Sequence, residues 1–169
     1  MELYRPKIDI PLTKTDKALE ATSLLLLLLL IGFAVREYAT LPGIIPTHFN
    51  TAGVVDGYGS KTSIFAMPGV GLFIYSLLTI VNQYPHRFNY IREITPENAR
   101  LQYSRMTQLL RWMKVGVLMV LFIILYTMAN AAKAHSVPVN ALLFAVIASI
   151  VATPVFIAFY AGKPDRKQP

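Results

Sequence analysis

The stretch 23-SLLLLLLLIGF-33 decides the fold, because eleven residues pass without a charge and seven of them are consecutive leucines. Extended to Lys17 and Tyr38, it is long enough to cross a bilayer, which takes about 20 apolar residues. A leucine run supplies length and hydrophobicity but little shape, so its surface is expected to face lipid. A cleaved leader is the rival reading. It is set aside because the polar lead-in is long and the run ends in Arg36-Glu37-Tyr38 without a small-x-small site. The composition of the 169 residues agrees: 54% are hydrophobic and only 15% charged, against about 25% charged in soluble proteins. With no cysteine, disulfides and thiolate metal sites are excluded.

Three further spans follow. The second covers about 63–83, with Pro68 and Gly69 marking either its true start or a kink. Next, 95-TPEN-98 offers Thr95 as a helix cap and Pro96 at the first helical position, so a helix is expected from there to about Ala132. Its apolar part, 107–132, is the third span; Arg100, Arg105 and Arg111 should project into water, and Trp112 and Lys114 should mark the interface. The fourth, about 137–161, repeats Ala141, Ala145, Ser149 and Thr153 on one helix face, a packing seam in lipid. The expected fold is an all-α integral membrane protein of four transmembrane helices. Residues 1–16 form a cytoplasmic arm, 17–169 one membrane domain, 39–62 a structured outer loop, and 84–106 an inner loop with a helix extension.

Charge sets the direction. Thirteen Lys and Arg residues fall in the arm, the 84–106 region with its flank, and the tail, against Arg36, Lys61 and Lys133 on the other side. Positive residues stay inside, so both termini are expected in the cytoplasm of a plasma membrane. The same distribution makes a nucleic-acid partner unnecessary. No Asp, Glu, Lys, Arg or His lies mid-span, which argues against a charge-relay pump. Asn82, Asn130 and Asn140 sit near span ends, where water is expected to reach them.

The outward loop, 45-IPTHFNTAGVVDGYGSK-61, is the polar exception. Its prolines, glycines and Asp56-Gly57 pair predict an ordered cap folded over the helix ends. One reading has His48, Asn50 and Asp56 hydrogen-bonding the turns of that cap. A second makes the loop a recognition surface, with Phe49 and Tyr58 as apolar anchors and Lys61 for acidic groups. A third is a divalent metal site from His48, Asp56 and His135, with Asn50 and Glu37 nearby, although the spacing matches no zinc pattern. A membrane hydrolase using Ser60 and Lys61 is a fourth, weakened because adjacent side chains point apart.

The ordered string Leu41-Pro42, Ile45-Pro46-Thr47-His48-Phe49-Asn50, Gly53, Asp56, Gly59 and Ser60-Lys61 resembles the membrane domain of unknown function at the head of the SdpI-type toxin-immunity proteins. That resemblance implies a prokaryotic plasma-membrane protein whose partner is a peptide toxin or another membrane component. Four spans fall short of the fuller immunity proteins, which carry additional C-terminal helices. The resulting expectation is a non-enzymatic membrane protein that recognises a peptide, a lipid headgroup or a partner at the outer face, with no cofactor; metal or small-solute binding is the alternative.

Overall fold

A computed structural model describes residues 5–50 and 52–133. The order is α1 (Lys14–Tyr38), β1 (Ile44–Phe49), β2 (Val55–Ser60), a 3-10 turn (Lys61–Phe65), α2 (Ala66–Val81), a 3-10 turn (Pro85–Arg87) and α3 (Ala99–Ala132). The three helical stretches Lys14–Tyr38, Lys61–Val81 and Ala99–Ala132 are long and apolar enough to cross a membrane. The expected fourth span and its small-residue seam lie outside the described residues. The all-α expectation is corrected: an antiparallel hairpin stands between α1 and α2.

Helix α1 starts at a capping box. The Thr13 hydroxyl accepts from the Asp16 N–H, and the Asp16 carboxylate accepts from the Thr13 N–H. This moves the helix start ahead of Lys17. Among the leucines one stripe is buried: Leu19, Ser23, Leu27, Leu30 and Ala34, with Asp16 and Glu37 at its ends. Leu24, Leu25, Leu28 and Leu29 are about half exposed and form an outward apolar face suited to lipid. The matching stripe on α3 includes Tyr103, Thr107, Arg111, Lys114, Leu118, Leu121, Leu125 and Met128. These positions recur every three or four residues, as one helix face requires.

Helix α2 joins them at Gly71. A Cβ built there would lie 2.7 Å from Leu30 Cδ2 and 3.4 Å from Leu118 Cδ2. Only glycine lets the three helices approach so closely. The regular helix begins at Ala66, two residues before Pro68. Proline is tolerated there because first-turn N–H groups have no intrahelical acceptor.

The long third helix is unbroken over 34 residues, about 51 Å at 1.5 Å per residue. It begins at Ala99, three residues beyond Pro96. The Asn98 side chain instead accepts from the Thr95 N–H and donates to the Glu93 carbonyl, holding 95–98 as a separate turn. Residues 5–12 are not a loose arm. Ile8 and Ile10 pack on Ile94, Ala99 and Tyr103, and Arg5 donates to the Phe88 carbonyl at 2.6 Å.

Candidate functional site

The hairpin is seated by its inner face. Leu41, Ile45 and Ile64 are buried in one cluster with Leu30, Ala34, Leu121, Leu125 and Met128, and Phe49 packs against it. Pairing runs Ile44 with Ser60, Ile45 with Gly59 and Pro46 with Tyr58, then shifts to His48 with Gly57, and returns with Phe49 opposite Val55. Thr47 is therefore an extra residue on one strand and Asp56 on the other. The two bulges cancel, and the local kink brings Asp56 beside His48. Two glycines allow this. A Cβ at Gly57 would lie 2.9 Å from His48 Cβ, and one at Gly59 would lie 3.0 Å from Thr47 Cγ2.

His48 Nδ1 and an Asp56 carboxylate oxygen form a direct contact on the exposed surface. The side chains are 71% and 43% exposed, so water screens the pair and its contribution to stability is small. Its value is directional. With Nδ1 engaged, Nε2 is left facing outward, in an orientation fixed by the carboxylate. Asn50 has a different task. Its side-chain oxygen accepts from the N–H groups of Ala52 and Val54 at 2.9 and 3.0 Å. The Asn50 N–H reaches the Val54 carbonyl, and Gly53, at φ 75°, closes the turn. So of the three polar residues, Asn50 holds backbone, whereas His48 and Asp56 hold each other.

Phe49 and Tyr58, expected as a pair of anchors, separate: Phe49 is half-buried against the helices, and Tyr58 is 67% exposed. Lys61 places its ammonium 4.5 Å from the centre of the Tyr38 ring, which packs tilted against Phe65 at 5.1 Å between ring centres. The Ser60 hydroxyl accepts from the Thr62 N–H and hydroxyl, capping the 3-10 turn. Ser60 and Lys61 thus have separate partners. Ser60 also stands four residues along the hairpin from His48, on the order of 13 Å at strand rise. Glu37 binds Lys133 Nζ at 2.5 Å. No group of three His, Cys, Asp or Glu side chains is placed to hold a metal among the described residues; His135 lies outside them.

At the other end of the helices is a cluster that sequence reading missed. Glu20 accepts from Lys114 Nζ at 2.5 Å and from Arg111 Nε at 3.1 Å. Arg111 also donates to Asp16 at 3.2 Å, and Lys114 to the Thr79 hydroxyl at 3.0 Å. The Lys114 ammonium lies 4.7 Å from the centre of the Tyr75 ring. Arg111 and Lys114 are buried, not solvated as expected. The signal was in the spacing: Asp16 and Glu20 are four apart on one helix, and Arg111 and Lys114 three apart on another, so each pair shares a face. A cavity of about 310 Å³ opens beside it, lined in part by Asp9, Asp16, Asn82, Thr107 and Arg111. The expectation for Asn82 is corrected too. Its amide is buried, with no hydrogen-bond partner among the described residues. Asn130 donates to the Tyr126 carbonyl, and Asn140 lies outside the described residues.

Residues 24–72 match the family model described as Domain of unknown function (DUF1648). That match covers the leucine-rich helix from Leu24 onward, the hairpin and the start of α2. An uncharacterized protein of Archaeoglobus fulgidus is 32% identical over 87 residues, 47% of this chain. The chain matches about half the length of that relative, 48%. No solved structure matches. The chain therefore carries a DUF1648 match, centred on the hairpin, within a set of apolar helices suited to a membrane.

Proposed function

We propose that this is a non-enzymatic, multi-pass plasma-membrane protein whose hairpin recognises a peptide or partner protein at the outer face. The observation that carries the reading is the division of the hairpin's side chains. Ile45 and Phe49 are spent on the helix bundle, while His48, Asp56 and Tyr58 face outward in a fixed arrangement. An exposed aromatic beside an oriented polar pair suits recognition better than packing. The thirteen-to-three bias of basic residues supports an outward hairpin and cytoplasmic termini. The resemblance of residues 41–61 to toxin-immunity proteins favours a peptide among the candidate partners.

The test has two parts. Cysteine in place of Val54 should react with an impermeant thiol reagent in intact cells, and cysteine in place of Asn89 should not. A photo-crosslinking amino acid in place of Tyr58 should then give a discrete adduct that disappears in His48→Ala and Asp56→Ala. Reversed labelling, or adducts that ignore both substitutions, would sink the proposal.

A further inference from the structure

Among the described residues, no strand pairs with the far edge of β2. Strand β2 pairs with β1 on one side, and the described sheet has no third strand. Proteins blunt such edges with lysine, proline or a covering element. Within Val55–Ser60 there is no lysine and no proline, and Asp56, Tyr58 and Ser60 are all exposed.

The ladder tells which groups are open. Lys61 donates its N–H to the Gly43 carbonyl, in line with the pairs Ile44–Ser60, Ile45–Gly59 and Pro46–Tyr58. Hydrogen-bonded and non-hydrogen-bonded pairs alternate along an antiparallel ladder. Counting from Gly43–Lys61, the Ile45–Gly59 pair is bonded and the Pro46–Tyr58 pair is not. Pro46 fits that position because it has no N–H to offer. Hence the N–H and carbonyl of Tyr58 point away from β1, toward the open edge. The bulge at Asp56 ends the regular edge on one side, and the 3-10 turn at Lys61 ends it on the other.

Building on the recognition role proposed above, we infer that β2 takes its partner by strand addition: an extended peptide pairs antiparallel with the Tyr58 edge. Main-chain bonds to Tyr58 supply the anchor, and side chains on alternate residues supply selectivity. Charge along the edge fixes the pattern. Asp56 presents a carboxylate at one end, Tyr58 an aromatic ring in the middle and Ser60 a hydroxyl at the other end, where the Lys61 ammonium, held against the Tyr38 ring, adds positive charge beyond the strand. The matching peptide is acidic, apolar and basic on every second residue, with the acidic residue toward Lys61, the apolar one opposite Tyr58 and the basic one opposite Asp56. The edge is short, so the register is held by three side chains and one pair of backbone bonds.

The probe is the blocked heptapeptide Thr-Glu-Thr-Val-Thr-Lys-Thr, added to the full chain in nanodiscs. At saturating peptide, hydrogen exchange at the Tyr58 amide should slow at least tenfold, while the inward Gly59 amide changes little. Methylation of the valine nitrogen should weaken binding at least tenfold, because it removes one edge bond and blocks the approach. Tyr58→Pro should abolish binding and Tyr58→Ala should only weaken it, since alanine keeps the N–H. Equal binding by the methylated peptide would overturn strand addition in favour of side-chain recognition alone. Absence of any binding by the unmodified peptide would overturn it as well, without touching the Tyr58 crosslinking result. A dimer that forms without peptide and is lost in Tyr58→Pro would assign the edge to a second copy of the chain and overturn the peptide assignment.

Discussion

Glu20→Gln should destabilise this protein far more than a surface carboxylate would. Glu20 is the shared acceptor for Lys114 and Arg111, and Lys114 is fully buried. The substitution keeps the shape of the side chain and removes its charge. Lys114 then keeps the Thr79 hydroxyl and the Tyr75 ring, and Arg111 keeps Asp16, but the one amide oxygen that remains carries no charge to balance the buried cation. Breaking a buried pair costs about 3–5 kcal/mol. The surviving partners place this case near the lower end, at about 3 kcal/mol. Replacing both partners, as in Glu20→Gln with Lys114→Met, removes the stranded cation and should return stability to within about 1 kcal/mol of the parent. The coupling energy from the double-mutant cycle is then about 2 kcal/mol plus whatever Lys114→Met costs alone. Unfolding in mixed micelles by a denaturing detergent, followed by circular dichroism, measures all four proteins. If Glu20→Gln lies within about 0.5 kcal/mol of the parent, Lys114 is reaching water and the buried cluster is wrong.

Gly71→Leu should separate α2 from α1 and α3, since even a Cβ there would meet Leu30 at 2.7 Å; overpacking of about 1–3 kcal/mol is expected in the same unfolding assay. Asn50→Ala strips two N–H groups of their acceptor. It should speed hydrogen exchange at Ala52 and Val54 while the helices melt as before, because the turn is exposed. The His86 ring should titrate below its ordinary value, chiefly through desolvation, with Lys7 and Arg87 adding to it. Because the folded pKa is the lower one, His86 adds stability above the unfolded pKa of about 6.5 and loses it as pH falls through that value toward the folded pKa; histidine NMR across pH 5–8 would show the midpoint, and Lys7→Gln should move it part of the way back.

The long apolar helices were legible because a segment suited to lipid is marked by what it lacks. Ser23 to Phe33 contains no charge, and no soluble fold explains that as simply. The hairpin was legible as an ordered loop but not as a sheet. Pro46 interrupts its first strand, and the compensating extra residues Thr47 and Asp56 break the two-residue alternation that marks a strand. The glycines predict an ordered, folded loop, but the pairing of His48 with Asp56 depends on the bulges, which composition does not announce. The buried cluster was hidden by a different effect. Lys114 follows Trp112 at the head of an apolar run, and that pattern reads as an interface anchor. Only the partner helix, with Asp16 and Glu20 at matching height, turns the same residue inward.

The hairpin cannot be treated as a tether on a finished bundle. Ile45 and Ile64 are as deeply buried as Leu30 and Leu125, and all four belong to one apolar cluster. The strand face that meets the helices is therefore part of the fold, and its truncation should cost about 2–5 kcal/mol, as for any buried aliphatic side chain. The other face carries His48, Asp56 and Tyr58, which are exposed and make little of that core. Substitutions there have little burial to lose. The same two-residue period that fixes Ile45 against the helices holds Tyr58 outward at a set position and angle. Rigidity on the inner face is thus what gives the outer face a defined geometry, and a partner that binds it meets a surface already ordered.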